Sequence, residues 1–175
     1  MTPNSPLEQP SRAVLSLGSN LGRRGRWLDL GLETLRGEGI VIQAATPRWN
    51  TRAIGAMAQP DFLNQLILGE ADLTGPGWLD VARLAEERAG RRRHVRRGPR
   101  TLDVDVILIQ GQAWDSPELT VPHPGLLERP YLLRGASLLV PNWIHPTQNR
   151  SMAELARDRL AGAWSGAEVT IGQEA

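Results

Sequence analysis

The 175-residue chain contains no cysteine, which excludes a disulfide framework and a thiolate metal site. Residues 1–11 carry three prolines but neither a basic cluster nor an apolar stretch, so they lack the features of a secretory leader. These absences favour a cytoplasmic location, and we expect residues 1–11 to form a disordered lead-in.

Lysine is also missing, and all 20 basic residues are arginine. Walker-A phosphate loops, the strand lysine of protein kinases and Schiff-base enzymes each depend on a lysine amine, so the sequence excludes all three. Any phosphate chemistry in this protein must therefore use arginine.

Long hydrophobic runs are absent as well. The longest uncharged stretch, residues 135–149, contains two prolines and falls short of the ~18 apolar residues that a membrane-spanning helix needs. With 41% hydrophobic and 22% charged residues, the composition is that of an ordinary globular domain. We expect no membrane partner.

Positive charge is concentrated in one segment. Residues 90–100 hold six of the arginines, while the rest of the chain has 14 basic against 19 acidic residues. Such a concentration predicts a polyanionic partner, which leaves open a nucleoside triphosphate, a nucleic acid or an anionic surface.

The hydrophobic pattern predicts an α+β domain. Its core has the element order β-α-β-β-α-β, which is the ferredoxin-like arrangement, and helices at 130–139 and 151–161 elaborate its C-terminal side. The core strands are predicted at 13–17, 40–49, 62–70 and 101–109, and the core helices at 26–36 and 78–89. We assign residues 12–149 to the domain and 150–175 to a C-terminal helix and tail.

Two connections within this core stand out. The connection over residues 50–61 is long for a compact domain, which is typical of a functional lid. Residues 18–22, Gly-Ser-Asn-Leu-Gly, predict a tight turn from strand to helix, to which Asn20 contributes hydrogen bonds. Because the segment has no lysine and fits no dinucleotide fingerprint, a structural role is favoured over phosphate binding.

Two aspartates flank Val104 in the last core strand. The alternation of a strand places Asp103 and Asp105 on one face, about 7 Å apart, and turns Val104 and Val106 toward a core. The pattern also fits a strand that is simply half-exposed. Since six arginines precede it, we favour a site where two divalent cations meet a phosphate chain.

A histidine follows between two prolines. Pro122 and Pro124 restrict the backbone around His123, which could then donate to a phosphate beside arginines such as Arg129. An ordinary loop histidine is the simpler interpretation of this motif alone.

Two other function classes are compatible with parts of the sequence. A nucleic-acid-binding ferredoxin-like domain would use residues 90–100 as a basic tongue, but phenylalanine and tyrosine occur once each, which leaves few side chains for base stacking. A palm-like nucleotidyl transferase would share the two-carboxylate logic and would release pyrophosphate.

Taken in order, five motifs resemble those of the 6-hydroxymethyl-7,8-dihydropterin pyrophosphokinase family. The element Gly-Pro-Arg-Thr-Leu-Asp-Val-Asp is highly specific, and the others gain weight from their order and spacing. The motifs lie at residues 17–22, 59–64, 90–93, 98–105 and 121–129.

The resemblance implies a ferredoxin-like enzyme of folate biosynthesis that transfers pyrophosphate from ATP to a pterin hydroxymethyl group and releases AMP. It implies that Asp103 and Asp105 hold two Mg²⁺ ions, and that Arg91, Arg93 and Arg100 are catalytic. The residues expected to bind ATP are Glu86, Arg91, Arg93, Val106, Thr120, His123 and Arg129.

For the pterin, the resemblance implies a pocket in which Thr51, Ile54 and Asn64 surround the heterocycle and Phe62 and Tyr131 stack on its faces. An amide beside two aromatic rings is chemically suited to a flat heterocycle, although Phe62 alone could be an ordinary core residue.

The sequence departs from the family pattern at Arg52, Arg83 and Arg97. The family expectation for the assembly is a monomer that takes the small molecules ATP and 6-hydroxymethyl-7,8-dihydropterin and binds no nucleic acid.

Overall fold

A computed structural model describes residues 10–53, 59–91, 98–161 and 170–171. Most strands belong to one antiparallel sheet: β1 (Ser11–Ser19), β2 (Val41–Ala45), β3 (Trp49–Thr51), β4 (Phe62–Ala71), β5 (Asp103–Ile109) and β10 (Thr170–Ile171). Four short strands form two hairpins: β6 (Trp114–Asp115) with β7 (Thr120–Val121), and β8 (Ile144–His145) with β9 (Arg150–Ser151). The helices are α1 (Arg24–Gly37), α2 (Gly75–Arg88), α3 (Pro130–Leu139) and α4 (Met152–Leu160).

Every strand pairing in the main sheet is antiparallel. β1 lies between β4 and β5, β3 continues the sheet beyond β4, and β10 pairs with β3. β2 also pairs with β4, beside the far half of that strand. The chain is thus a mixed α/β protein in which both long connections, through α1 and α2, return to the same sheet.

Helices cover both faces of this sheet. On one face Leu15 and Leu17 of β1 are fully buried in a cluster that includes Leu28 of α1 and Trp78 of α2. On the other face Val14 and its neighbours pack in a second cluster with α3 and α4. The C-terminal helices therefore share a core with the sheet and belong to the same packed body.

Helix ends follow capping rules that are readable in the sequence. The Ser151 hydroxyl accepts from the Glu154 amide while the Glu154 carboxylate accepts from the Ser151 amide, which confirms the expected capping box of α4. α2 starts earlier than predicted because Thr74 caps it, accepting from the Gly77 amide at 3.4 Å.

The predicted single strand over residues 40–49 is wrong, because the structure has two strands, β2 and β3. The break lies at Thr46 and Pro47, where proline has no amide to donate to a ladder. The Thr46 side-chain hydroxyl accepts from the Leu66 amide at 3.0 Å and thus keeps the interrupted edge attached to β4.

The ends of some strands differ from the predicted ones, and some short strands were not predicted from the sequence. β1 begins at Ser11, inside the segment assigned to the lead-in, because the Ser11 hydroxyl donates to the Leu73 carbonyl and accepts from the Trp78 indole. The two hairpins are too short to show periodicity. Within the described ranges no helix is long and apolar enough to cross a membrane.

Packing around α1 yields a stability prediction. A Cβ on Gly31 would lie 2.9 Å from Leu17 Cδ2 and 3.0 Å from Leu102 Cδ2, whereas a Cβ on Gly37 would meet nothing within 4 Å. We expect Gly31→Ala to destabilise the fold by about 1–3 kcal/mol and Gly37→Ala to be neutral or stabilising by up to about 1 kcal/mol. Urea unfolding measures both, and equal effects of the two variants would contradict the packing described.

Candidate active site

The register of three strands places the predicted site residues on one face of the sheet. Gly18 of β1 pairs with Asn64 of β4 on one side and with Asp103 of β5 on the other. Two residues earlier on β1, Ser16 pairs with Asp105. Since side chains alternate along each strand, the amide and the two carboxylates rise from the same surface, separated by β1.

Small residues of β1 form the floor between them. A Cβ on Gly18 would lie 2.6 Å from Asn64 Oδ1, so any larger residue would displace the amide. Asn64 is almost fully buried and donates from Nδ2 to the Thr51 hydroxyl at 2.7 Å. The glycine thus gives the Asn64 amide its place, and Thr51 fixes which way the amide is turned.

The cavity above this floor has a volume of about 420 Å³. It brings together ten of the predicted site residues: Thr51, Phe62, Asn64, Arg91, Arg100, Asp103, Asp105, His123, Arg129 and Tyr131. These ten residues come from three strands, the segments before β5 and before α3, and the start of α3, and they converge on one volume.

Arginines neutralise Asp103 on both carboxylate oxygens. Arg91 lies 2.7 Å from Oδ1 and Arg100 lies 2.7 Å from Oδ2. Arg91 also pairs with Glu86 of α2, and the Arg100 guanidinium lies 5.8 Å from the centre of the Phe62 ring. A cation approaching Asp103 must therefore compete with two guanidinium groups, which an incoming phosphate chain can attract away.

Asp105 is the most perturbed acid in this cavity. Burial, reinforced by the negative charge of Asp103, raises its pKa from 3.8 to about 7, although Arg129 opposes the shift. Around neutral pH the ligand-free site thus holds a carboxyl that a bound cation would readily deprotonate.

His123 is positioned to act as a neutral hydrogen-bond donor. Its backbone amide donates to the Ile107 carbonyl at 2.8 Å, and its Nδ1 accepts from the Gly125 amide at 3.0 Å. This acceptor role at Nδ1 assigns the proton to Nε2. Burial, together with the nearby Arg129, lowers the pKa of His123, so the neutral form prevails.

Tyr131 stands at the first turn of α3, facing the same cavity. Burial raises the pKa of its phenol from 10.0, although the nearby Arg129 opposes the shift. Tyr131 and Phe62 provide the two aromatic rings that line this cavity.

Other predicted residues lie elsewhere. Glu86 is buried on α2, where its carboxylate accepts from the Val104 amide at 2.9 Å. Val106 is buried in the cluster between the sheet, α1 and α2. Thr120 lines a neighbouring cavity that shares His123. Ile54 and Arg93 lie outside the described residues, as does Arg97.

Four lining residues were not assigned to the site from sequence: Ser16, Gly18, Arg52 and Gln59. For Ser16, Gly18 and Gln59 the signal is position, because they lie within or beside the motifs at 17–22 and 59–64, whereas Arg52 follows the predicted site residue Thr51. Two of the departures from the family pattern lie among the described residues. Arg52 lines the cavity, and Arg83, exposed on α2, lies 3.8 Å from the Glu118 carboxylate.

The donor set suits a hard cation that also binds phosphate. Among the described residues, no group of three or more histidine and carboxylate side chains could hold a metal ion by itself. Two carboxylates, one of them with a pKa raised chiefly by burial, match Mg²⁺, which typically takes one or two carboxylates and completes its shell with water and phosphate oxygens.

Comparison with known proteins agrees with this chemistry. The model of the family 7,8-dihydro-6-hydroxymethylpterin-pyrophosphokinase matches residues 14–141, which include all the residues lining this cavity. The chain belongs to this family. A Synechocystis 2-amino-4-hydroxy-6-hydroxymethyldihydropteridine pyrophosphokinase is 31% identical over 163 residues, covering 89% of this chain and 81% of the relative.

Other members of the family are parts of longer proteins. The folic acid synthesis protein fol1 of Schizosaccharomyces pombe is 33% identical over 149 residues, and the match covers 85% of this chain but 20% of that protein. A Plasmodium falciparum HPPK-DHPS structure has a TM-score of 0.65 at 12% identity, covering 97% of this chain and 48% of the other. At that identity the structural likeness concerns the fold alone.

The raised pKa of Asp105 predicts how pH affects the metal-free protein. Because the folded state binds this proton more tightly than the unfolded state, the stabilisation is complete below pH 3.8 and is lost as pH rises through about 7. We expect Asp105→Asn to remove this contribution, so that its melting temperature falls less than that of the parent protein between pH 5 and pH 8, roughly the window around this titration. Calorimetry in EDTA measures the difference; parallel curves would contradict the assigned pKa.

Proposed function

We propose that this protein transfers pyrophosphate from ATP to the hydroxymethyl group of 6-hydroxymethyl-7,8-dihydropterin and releases AMP, a step of folate biosynthesis. The observation that carries the proposal is one cavity with two kinds of lining. Its lining combines an amide and two aromatic rings with two carboxylates, four arginines and a histidine. Membership of the pyrophosphokinase family supports the same assignment.

In this proposal the pterin lies between Phe62 and Tyr131, with its polar edge toward Asn64. Stacked rings recognise the flat heterocycle without regard to its substituents, and the amide supplies donor and acceptor complementarity. The bond from Asn64 to Thr51 supports the role because it leaves Oδ1 as the group facing the floor at Gly18. Ile54 remains an expected pocket residue.

The phosphates of ATP then lie over β5. Arg91, Arg100 and Arg129 neutralise their charge, and His123 donates from Nε2. The residues Arg93, Glu86, Val106 and Thr120 remain expected ATP contacts. The hydrogen bond that the Glu86 carboxylate accepts from the Val104 amide and its ion pair with Arg91 support a role for Glu86 through Arg91.

Asp103 and Asp105 would hold two Mg²⁺ ions, which supply charge neutralisation and polarise the phosphate oxygens when bound. The substrate hydroxyl oxygen attacks the β-phosphorus, the bond from that phosphorus to the AMP oxygen breaks, and the hydroxyl proton is released to water. Such a reaction asks the protein mainly for alignment and electrostatic stabilisation. The residues described here supply both, because the arginines and the pterin pocket fix the two reactants on one rigid sheet.

The architecture belongs to the same proposal. We assign the core a ferredoxin-like topology, supported by the order β3-β4-β1-β5 with helical connections after β1 and β4. Residues 12–149 would form the catalytic domain and 150–175 its C-terminal helix and tail. A cytoplasmic monomer without a nucleic-acid partner remains the expectation from sequence.

Substitution of the carboxylates tests the proposal. We expect Asp103→Asn and Asp105→Asn each to lower pterin-dependent AMP formation by about 10³-fold or more, because each removes a charge that holds the cations. Both variants should keep the circular dichroism spectrum of the parent protein.

The matched control is Asp80→Asn, since Asp80 is an exposed aspartate on α2. It should retain full activity. Near-normal AMP formation by either of the first two variants would contradict the two-carboxylate site.

A further inference from the structure

Asn20 is a buried amide beside the cavity that the proposed reaction does not use. It follows β1 directly, and its residue is 1% exposed. Each polar atom of its side chain has a partner outside its own turn, and these partners come from two segments distant in sequence.

The first partner segment, here called the Arg100 segment, comprises residues 98–100 and precedes β5. The main-chain amide of Arg100 donates to the side-chain oxygen Oδ1 of Asn20 at 2.9 Å. The main-chain amide of Asn20 donates to the Arg100 carbonyl at 3.2 Å. This two-way bridge fixes the backbone from which the Arg100 guanidinium reaches Asp103 at 2.7 Å.

The second partner segment, the Gln59 segment, comprises residues 59–61 and precedes β4. Asn20 Nδ2 donates to Gln59 Oε1 and to the Pro60 carbonyl, both at 3.1 Å. Gln59 lines the cavity, and Phe62 of the proposed pterin pocket follows this segment immediately. The Arg100 guanidinium in turn lies over the Phe62 ring.

The side-chain amide of Asn20 is thus hydrogen-bonded both to the Arg100 segment, next to the proposed phosphate-binding residues, and to the Gln59 segment, next to the proposed pterin pocket. Asparagine suits this position because it offers two donors and an acceptor in a fixed plane without charge, whereas aspartate cannot donate and leucine can do neither. Because Asn20 is buried, loss of one of its hydrogen bonds leaves the partner group without a hydrogen bond. The bonds to one segment therefore oppose a displacement of the other segment.

We propose that Asn20 is a positioning residue that couples the two segments, so that nucleotide bound at one side raises the affinity for pterin at the other. The ligand identities rest on the proposed function, but the coupling of the segments does not. A linkage of this kind is reciprocal and is measured as the ratio of pterin affinities with and without nucleotide.

The first experiment uses the ligand-free protein. Hydrogen exchange read by mass spectrometry on a peptide containing residues 98–102 reports on the Arg100 amide. Gln59→Ala, which changes only the other segment, should speed exchange there by about fivefold, the loss of roughly one hydrogen bond. Asn20→Ala should speed it further. Unchanged exchange in Gln59→Ala would overturn the coupling, even if Asn20→Ala fails to fold.

The matched control is Gln110→Ala. The side chain of Gln110 also accepts a hydrogen bond, at 2.9 Å from Nε of Arg12 on β1. Gln110 follows β5 and therefore lies at the opposite end of that strand from residues 98–102. Its replacement should leave exchange at residues 98–102 unchanged. An equal acceleration in this control would show a general loss of stability and would overturn the assignment.

The second experiment measures the coupling with ligands. Calorimetric titration gives the dissociation constant of 6-hydroxymethylpterin with and without Mg²⁺ and a non-hydrolysable ATP analogue. We expect nucleotide to tighten pterin binding in the parent protein, and Gln59→Ala and Asn20→Ala to reduce that ratio by about fivefold or more. A residue that merely touched pterin would weaken both affinities equally, so an unchanged ratio would overturn the proposal. Absence of pterin binding by the parent protein would instead refute the proposed function, and hydrogen exchange would still decide the role of Asn20.

Discussion

The antiparallel register at Gly18 is the constraint on which the site depends. Because this residue pairs with Asn64 on one side and Asp103 on the other, the amide proposed to bind the heterocycle and the carboxylates proposed to hold the cations lie one strand apart. The missing side chain leaves room for the amide between them. A shift of β1 by one residue would reverse every side chain and would separate the two halves of the site.

The charges around the two aspartates are the second feature of the site. Burial, reinforced by the negative charge of Asp103, raises the pKa of Asp105, and arginines from three different segments, Arg91, Arg100 and Arg129, place positive charge beside the two carboxylates. The ligand-free protein thus already has arginines and carboxylates in the positions proposed for binding a phosphate chain and its cations. Such prearrangement lowers the reorganisation needed when reactants bind, and it agrees with a reaction in which the protein mainly aligns and neutralises.

Sequence reasoning succeeded where the signal was local. The alternation around Asp103 and Asp105, the boundaries of α3 and the capping box at Ser151 each lie within a few residues, and each is present in the structure. It failed at Pro47, where a run of strand-forming residues hides a break. The roles of Gly18 and Asn20 were only partly visible, since they arise from pairing with residues 39 or more positions away. Local patterns do not contain that information.

The fate of a labelled phosphate tests the central claim most directly. The protein, Mg²⁺ and 6-hydroxymethyl-7,8-dihydropterin are incubated with ATP that carries the label on its β-phosphate, and the products are separated. Attack at the β-phosphorus predicts unlabelled AMP and a labelled pterin product, with neither forming when pterin is omitted. Labelled pyrophosphate released into solution would contradict the account, because it would mean that the cavity transfers the nucleotidyl group instead.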